Sequence, residues 1–289
     1  MWQPLLLFAG CIPVLILLAA VSIERWRRKR KGERQPLSEK LLRPPGYSLQ
    51  RKLEDLNDDF NGWFAGAFLF SALAIIFASV VPANLSARIV YLTMFGLTTA
   101  ICAVLAWRTL WNIRSYRMGL LGEQAIAEEL QRLIPCGYKM FHDIPCEKKD
   151  CKWNIDHVAV GPAGVFAIET KYRTKKPGRN GEQDHKATFD GNRIEFASGD
   201  YDAQAPEQAR NNARWLEKEL SKATGERVTV QPIVALPGWY VTLKANSDVK
   251  VLSGKQISGF IAKEPAQLSG KLIQQISYQL EQRCRDVEY

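Results

Sequence analysis

The tetrapeptide Asn154-Ile155-Asp156-His157 is followed, thirteen residues after its aspartate, by Glu169-Thr170-Lys171. Two carboxylates and an amine can serve cation-assisted cleavage of a phosphodiester, provided the backbone brings them together. Residues 155–160 read as a short strand, Gly161-Pro162-Ala163-Gly164 as a turn and residues 165–171 as a second strand, so the acids fall on paired neighbours. With a side-chain period of two, Glu169 and Lys171 project to one face, while Phe166, Ile168 and Thr170 project to the other. One face carries chemistry and the other carries core.

Carboxylates converging from adjacent strands suit Mg²⁺ or Mn²⁺, hard cations that take few protein ligands and keep positions for water and phosphate oxygens. A lysine two residues from a ligand is placed to orient a bound water or to meet developing charge. The bare pattern describes a solvated strand end equally well. Upstream, Met118-Gly119-Leu120-Leu121-Gly122-Glu123 opens an amphipathic helix whose apolar residues Ile126, Ala127, Leu130, Leu133 and Ile134 recur at helical spacing. Glu123 lies on that same face. It is either a partner for the helix N-terminus or a third acid of the site.

With these residues in place the chain resembles the nuclease-related domain family, NERD. The resemblance covers about residues 117–237: Gly122-Glu123 on a first helix, a strand over 138–144, Ile155-Asp156-His157-Val158, the run Gly164 to Lys171, and a helix carrying Gln208. It implies membership of the PD-(D/E)xK nuclease superfamily and an α/β, restriction-endonuclease-like core, a mixed central sheet flanked by helices. By that resemblance Asp156 and Glu169 are metal ligands, Lys171 is the catalytic lysine, Glu123 an accessory acid, and Gln208 a site-facing residue of the second core helix. The implied substrate is DNA, with RNA as the alternative. Ile155 stands where the superfamily's name motif has Pro. His157 alternates away from Asp156, which makes it a packed or hydrogen-bonded core histidine.

The first third of the chain is different material. Residues 2–23, 63–81 and 89–107 are three uncharged segments, each long enough to cross a hydrocarbon core. Trp2, Trp26, Trp63, Trp107 and Trp111 fall at or near their ends, where amphipathic rings favour the headgroup region. A cleaved signal peptide would carry its positive charge before the first apolar run, whereas here the basic run 25–34 follows it. Residues 24–62 hold eleven Lys/Arg, against Arg88 alone in the turn before the third span. That asymmetry predicts three transmembrane helices in a cell inner membrane, with the N-terminus outside and everything after Trp107 in the cytoplasm. The domain boundary falls at 114/115.

Of the net charge of +9, residues 1–114 account for +7 (14 Lys/Arg, 7 Asp/Glu) and residues 115–289 for +2 (25 and 23). Most of the basicity therefore serves topology and contact with the lipid bilayer. Nucleic-acid contact in the second part must come from a local patch, for which Arg173, Lys175, Lys176, Arg179 and Lys186 are the candidates, on a charged loop read either as mobile surface or as a backbone-contacting flap. Residues 186–196 read as a hairpin around Asp190-Gly191-Asn192, 203–220 as a helix, 228–236 and 249–252 as strands, and 265–284 as a closing helix. Residues 32–60 read as a Pro- and charge-rich linker with a short helix at 49–60. Cys136, Cys146 and Cys151 lack a second paired motif for zinc and read as free thiols.

Overall fold

The computed structural model describes residues 40–80, 85–148, 151–179 and 183–287, with a few isolated positions before them. The expected first span, residues 2–23, lies outside the described residues. The described chain divides into two compact units, one containing Glu54–Arg114 and the other Lys40–Leu53 together with Ser115–Tyr289.

A short strand β1 (Leu41–Leu42) leads into helix α1 (Tyr47–Val80). A second helix, α2, runs for 47 residues from Leu85 to Gln131. Both are long and apolar enough to cross a membrane. Within their own unit they pack by Phe77 against Tyr91 and Phe95, by Ser71 near Thr99, and by the close approach of Gly66 to Cys102. Phe64, Phe68, Ile75, Leu97, Ile101 and Trp107 point outward, apolar and exposed. A face of that kind is covered by lipid or by another protein surface.

Two sequence expectations change here. The helix expected to open at Met118 is the interior of α2, because residues 108–117 contain neither Gly nor Pro and nothing stops the helix after the apolar stretch. Likewise the short helix at 49–60 and the span at 63–81 are one helix, α1; Gly62 and Gly66 cost helix propensity without breaking it. The segment expected as linker contributes Lys40–Leu53 to the second unit.

That unit is built on a five-stranded mixed sheet. Strands β2 (Lys139–Lys148), β3 (Cys151–Gly161) and β4 (Gly164–Thr170) form an antiparallel meander. A second, four-stranded sheet follows, comprising β5 (Lys186–Phe189), β6 (Ile194–Phe196), β7 (Tyr201–Asp202) and, later in the chain, β9 (Tyr240–Leu243). Helix α3 (Gln204–Thr224) leads to β8 (Val230–Leu236), which joins the first sheet parallel to β4, and β10 (Lys250–Ser253) adds parallel to β8. The chain ends in α4 (Gly254–Lys263), α5 (Gly270–Cys284) and β11 (Arg285–Val287), the last pairing with β1.

The alternation along β4 decides the layering. Val165 and Ala167 join Ala213, Leu216 and Leu220 of α3 and Ile276 of α5 on one side. Phe166 and Ile168 join Ile126 and Leu130 of α2, Leu133 just beyond it, and Ile257 of α4 on the other. Both faces of the sheet are covered, which is why its strands read as near-continuous apolar runs. The hairpin expected at 186–196 is the β5–β6 pair. Helix α4 and strand β9 were not foreseen.

Candidate active site

The β3–β4 ladder runs from Gly161 opposite Gly164 to His157 opposite Ile168, and Asp156 and Glu169 follow directly beyond that last pair. Instead of continuing the ladder, the Thr170 N–H donates to Asp156 Oδ2 at 2.7 Å, so the aspartate closes the end of the strand pair. The Lys171 N–H donates to the Ala235 carbonyl at 2.9 Å, which fixes the residue just beyond β4 against β8.

Lys171 Nζ lies 2.8 Å from Glu169 Oε1 and donates to Gln208 Oε1 at 3.0 Å. The other glutamate oxygen, Oε2, accepts from Asn212 Nδ2 at 2.9 Å. Trp153 Nε1 donates to Asn212 Oδ1 at 3.0 Å. An indole N–H is a donor only, so this bond sets the amide's orientation and turns its NH₂ toward Glu169. Gln208 and Asn212 stand four residues apart on one face of α3. The expected residues Asp156, Glu169, Lys171 and Gln208 thus come together.

Glu123 reaches the same region from α2. Gly122 makes that approach possible: a Cβ there would lie 2.9 Å from Tyr172 Cβ. Glu123 is buried, accepts a hydrogen bond from the Gly46 backbone N–H, and interacts with the charges of Asp143, Glu169 and Lys171. It sits deep in the helix rather than at its start, so the helix-terminus reading is replaced by a place among the acids.

Burial is the largest influence on all three carboxyl groups. Glu123 is pushed up to about 8 by burial and by the charges of Asp143 and Glu169. Asp156 is held well above the usual carboxylate range by burial and by Glu169 and Glu123. Glu169 is raised by burial, although Lys171 and Asn212 oppose it. For Lys171, burial disfavours the ammonium, and the Glu169 and Asp156 carboxylates more than offset it, leaving the group above the ordinary lysine range. Crowded acids around one amine form an electrostatic arrangement that a cation would relieve.

Behind the acids, His142 Nδ1 and His157 Nδ1 are 2.9 Å apart across β2 and β3. His142 is lowered to about 4 by burial, and His157 is depressed by burial and by His142, so the pair is neutral with one ring donating to the other. His157 is a hydrogen-bonded core residue. The pleat is interrupted beside it. Phe141 and Ile144 share one core cluster, as do Ile155 and Val158, although each pair is three residues apart; between them lie Asp143, with φ of 51°, and Asp156.

Sequence reasoning missed Asn212 and Asp143. Asn212 was detectable as the residue one turn beyond Gln208. Asp143 carried a weaker signal, an acid on a strand that mixes polar and apolar residues. Of the basic patch, Arg173 pairs with Asp202 and Lys176 with Asp200, whereas Lys175 and Lys186 are exposed; the Arg179 backbone N–H is bound to the Ala197 carbonyl. Cys146 is buried, Cys136 and Cys151 are exposed, and all three are free thiols. Among the described residues no three His, Cys, Asp or Glu side chains are grouped so as to enclose a metal ion.

Residues 118–237 match the nuclease-related domain, NERD. No curated protein and no solved structure matches the chain at a significant level. The NERD segment contains Glu123, Asp143, Asp156, Glu169, Lys171, Gln208 and Asn212, but not Gly46.

The raised carboxyls set a pH dependence. A folded state that binds protons more tightly than the unfolded chain loses stability as pH rises between the two pKa values. For Glu123 that window runs from the ordinary carboxylate range to about 8. Thermal unfolding of the full chain in chelator should therefore show stability falling from pH 5 to pH 8. Glu123→Gln should flatten that fall, and an unchanged slope in the variant would remove Glu123 from the coupled group.

Proposed function

We propose that the second unit is a restriction-endonuclease-like, Mg²⁺- or Mn²⁺-dependent nuclease that hydrolyses DNA phosphodiester bonds and is tethered to a lipid bilayer by the apolar helices. The observation that carries this reading is the gathering of Asp156, Glu169 and Glu123 around Lys171, inside a segment matching a nuclease-related family. The donors fit a hard divalent cation in kind: they are oxygens, acidic, crowded and largely removed from water. Asp156 and Glu169 would hold it, with most remaining ligands supplied by water and phosphate. When bound, such an ion polarises the phosphoryl oxygen and lowers the pKa of a ligated water.

The chain's own groups do the positioning. Asn212, locked by Trp153, fixes the Glu169 carboxylate. Gln208 and Glu169 hold the Lys171 ammonium where it can donate to the attacking water or to a non-bridging phosphate oxygen. Glu123, protonated at neutral pH when the site carries no cation, would exchange its proton as a cation enters. Lys175 and Lys186, exposed beyond β4, would contact the nucleic-acid backbone, with Arg173, Lys176 and Arg179 released from their present partners or supporting the loop. A non-catalytic nucleic-acid- or protein-binding module is the second reading. It is favoured by the engagement of both Glu169 oxygens, by Lys171 and by Asn212.

The tethering proposal places an inner membrane around the apolar helices with the second unit in the cytoplasm. A reporter fused near Asn84 should read the outer side and one after Trp111 the cytoplasm; a cytoplasmic signal at Asn84 contradicts the topology. The catalytic proposal is tested by cleavage and binding measured together on the full chain. Lys171→Ala should lower Mg²⁺-dependent cleavage by about 10²-fold, the scale of losing one positioned transition-state donor, with little loss of DNA affinity. Lys175→Ala should weaken binding and its salt dependence instead. Binding without cleavage, with both variants behaving alike, would leave the binding module.

A further inference from the structure

The segment Lys40–Leu53 precedes the NERD match and would ordinarily be counted as a tether, yet it belongs to the compact unit that holds the candidate site. Its anchoring is specific. Strand β1 pairs with β11, and the Arg43 N–H donates to the Cys284 carbonyl at 2.9 Å. The Arg43 guanidinium spans two acids, with Nε 2.7 Å from Asp286 Oδ1 and Nη1 2.9 Å from Asp143 Oδ2. Nη1 also reaches the Asp143 carbonyl at 3.0 Å.

From that anchor the chain turns directly into the acid cluster. Gly46 has φ of 73°, and a Cβ on it would lie 2.3 Å from Leu120 Cδ1, so glycine is required both for the turn and for the close approach to α2. The backbone N–H freed by that turn is the one that Glu123 accepts. Two residues on, Ser48 Oγ accepts from Asn154 Nδ2 at 2.6 Å and donates to Asp143 Oδ2 at 2.7 Å. Asn154 is two residues from Asp156. The donors to the buried Asp143 carboxylate, Arg43 and Ser48, both come from this segment. A buried carboxylate stripped of its donors is costly, and this one stands beside Glu123.

We infer that residues 40–53 form a strap that positions the candidate active site, with Ser48 and Arg43 acting through Asp143 and Asn154, and the Gly46 backbone acting on Glu123. The inference rests on the nuclease reading, and it makes the catalytic unit larger than the matched domain. Helix α1 runs unbroken from Tyr47 into its apolar stretch, so the strap is continuous with the tether.

The test uses the full chain in detergent micelles. Hydrogen exchange should find the amides of 47–53 protected, and Asp143→Asn should increase their exchange. Ser48→Ala should lower kcat for Mg²⁺-dependent DNA cleavage by about tenfold, the scale of losing a group that orients a ligand, with KM nearly unchanged and a lower melting temperature as the buried Asp143 loses one donor. Ser48→Thr, which keeps the hydroxyl, should restore most of the rate. Freely exchanging strap amides overturn the inference whatever the activity. Protected amides with full activity in Ser48→Ala overturn it and leave the nuclease reading standing. Protected amides in a parent chain that cleaves nothing overturn the nuclease reading, and the positioning role falls with it.

Discussion

Several largely buried acids share a space with one ammonium group, and the surrounding architecture serves to hold that arrangement in place. Like charges in a poorly hydrated site repel, and each raised carboxyl registers the cost. Lys171 offsets part of it through Glu169. The rest is met by neutral donors placed with care: the Thr170 N–H on Asp156, the Asn212 amide on Glu169, and the Gly46 N–H on Glu123. Under the proposed nuclease reading, a divalent cation would replace repulsion with attraction at each oxygen it approached.

The sheet and helices supply that placement. Apolar layers on both faces of β4 leave its C-terminal end as the point where side chains can become polar, which is where Glu169 and Lys171 stand. Helix α3 contributes Gln208 and Asn212 from one side, and α2 contributes Glu123 from the other. The interruption of the pleat at Asp143 and Asp156 lets β2 and β3 turn acids out of an otherwise apolar register. Irregular backbone of this kind concentrates at functional sites.

Much of this was legible in the sequence. The alternation at 165–171 put Glu169 and Lys171 together. The expected division into a chemical face and a core face does not hold, since β4 carries core on both sides. The short turn sets the antiparallel register that brings Asp156 and Glu169 to the same end of the strand pair. What escaped was long-range or unpunctuated. Helices α1 and α2 were read as separate pieces because hydropathy changes along them, whereas the helices themselves continue. Arg43, Gly46 and Ser48 sit in a Pro- and charge-rich stretch whose composition describes a linker; only the fold brings Arg43 and Ser48 to Asp143, about a hundred residues away in sequence, and Gly46 to Glu123. Asn212 carried only its position one turn beyond Gln208 as a signal, and its role shows once Trp153 and Glu169 are seen beside it.

The central claim is that Asp156 and Glu169 jointly create a divalent-cation site. Calorimetric titration of Mn²⁺ into the full chain at pH 8 tests it most directly, with Mg²⁺ as competitor. The account expects a saturable site whose affinity falls at pH 6, as the raised carboxyls take up protons, and which is lost in both Asp156→Asn and Glu169→Gln. Binding of equal strength in the parent and in both variants, or none in the parent at any pH, would contradict it.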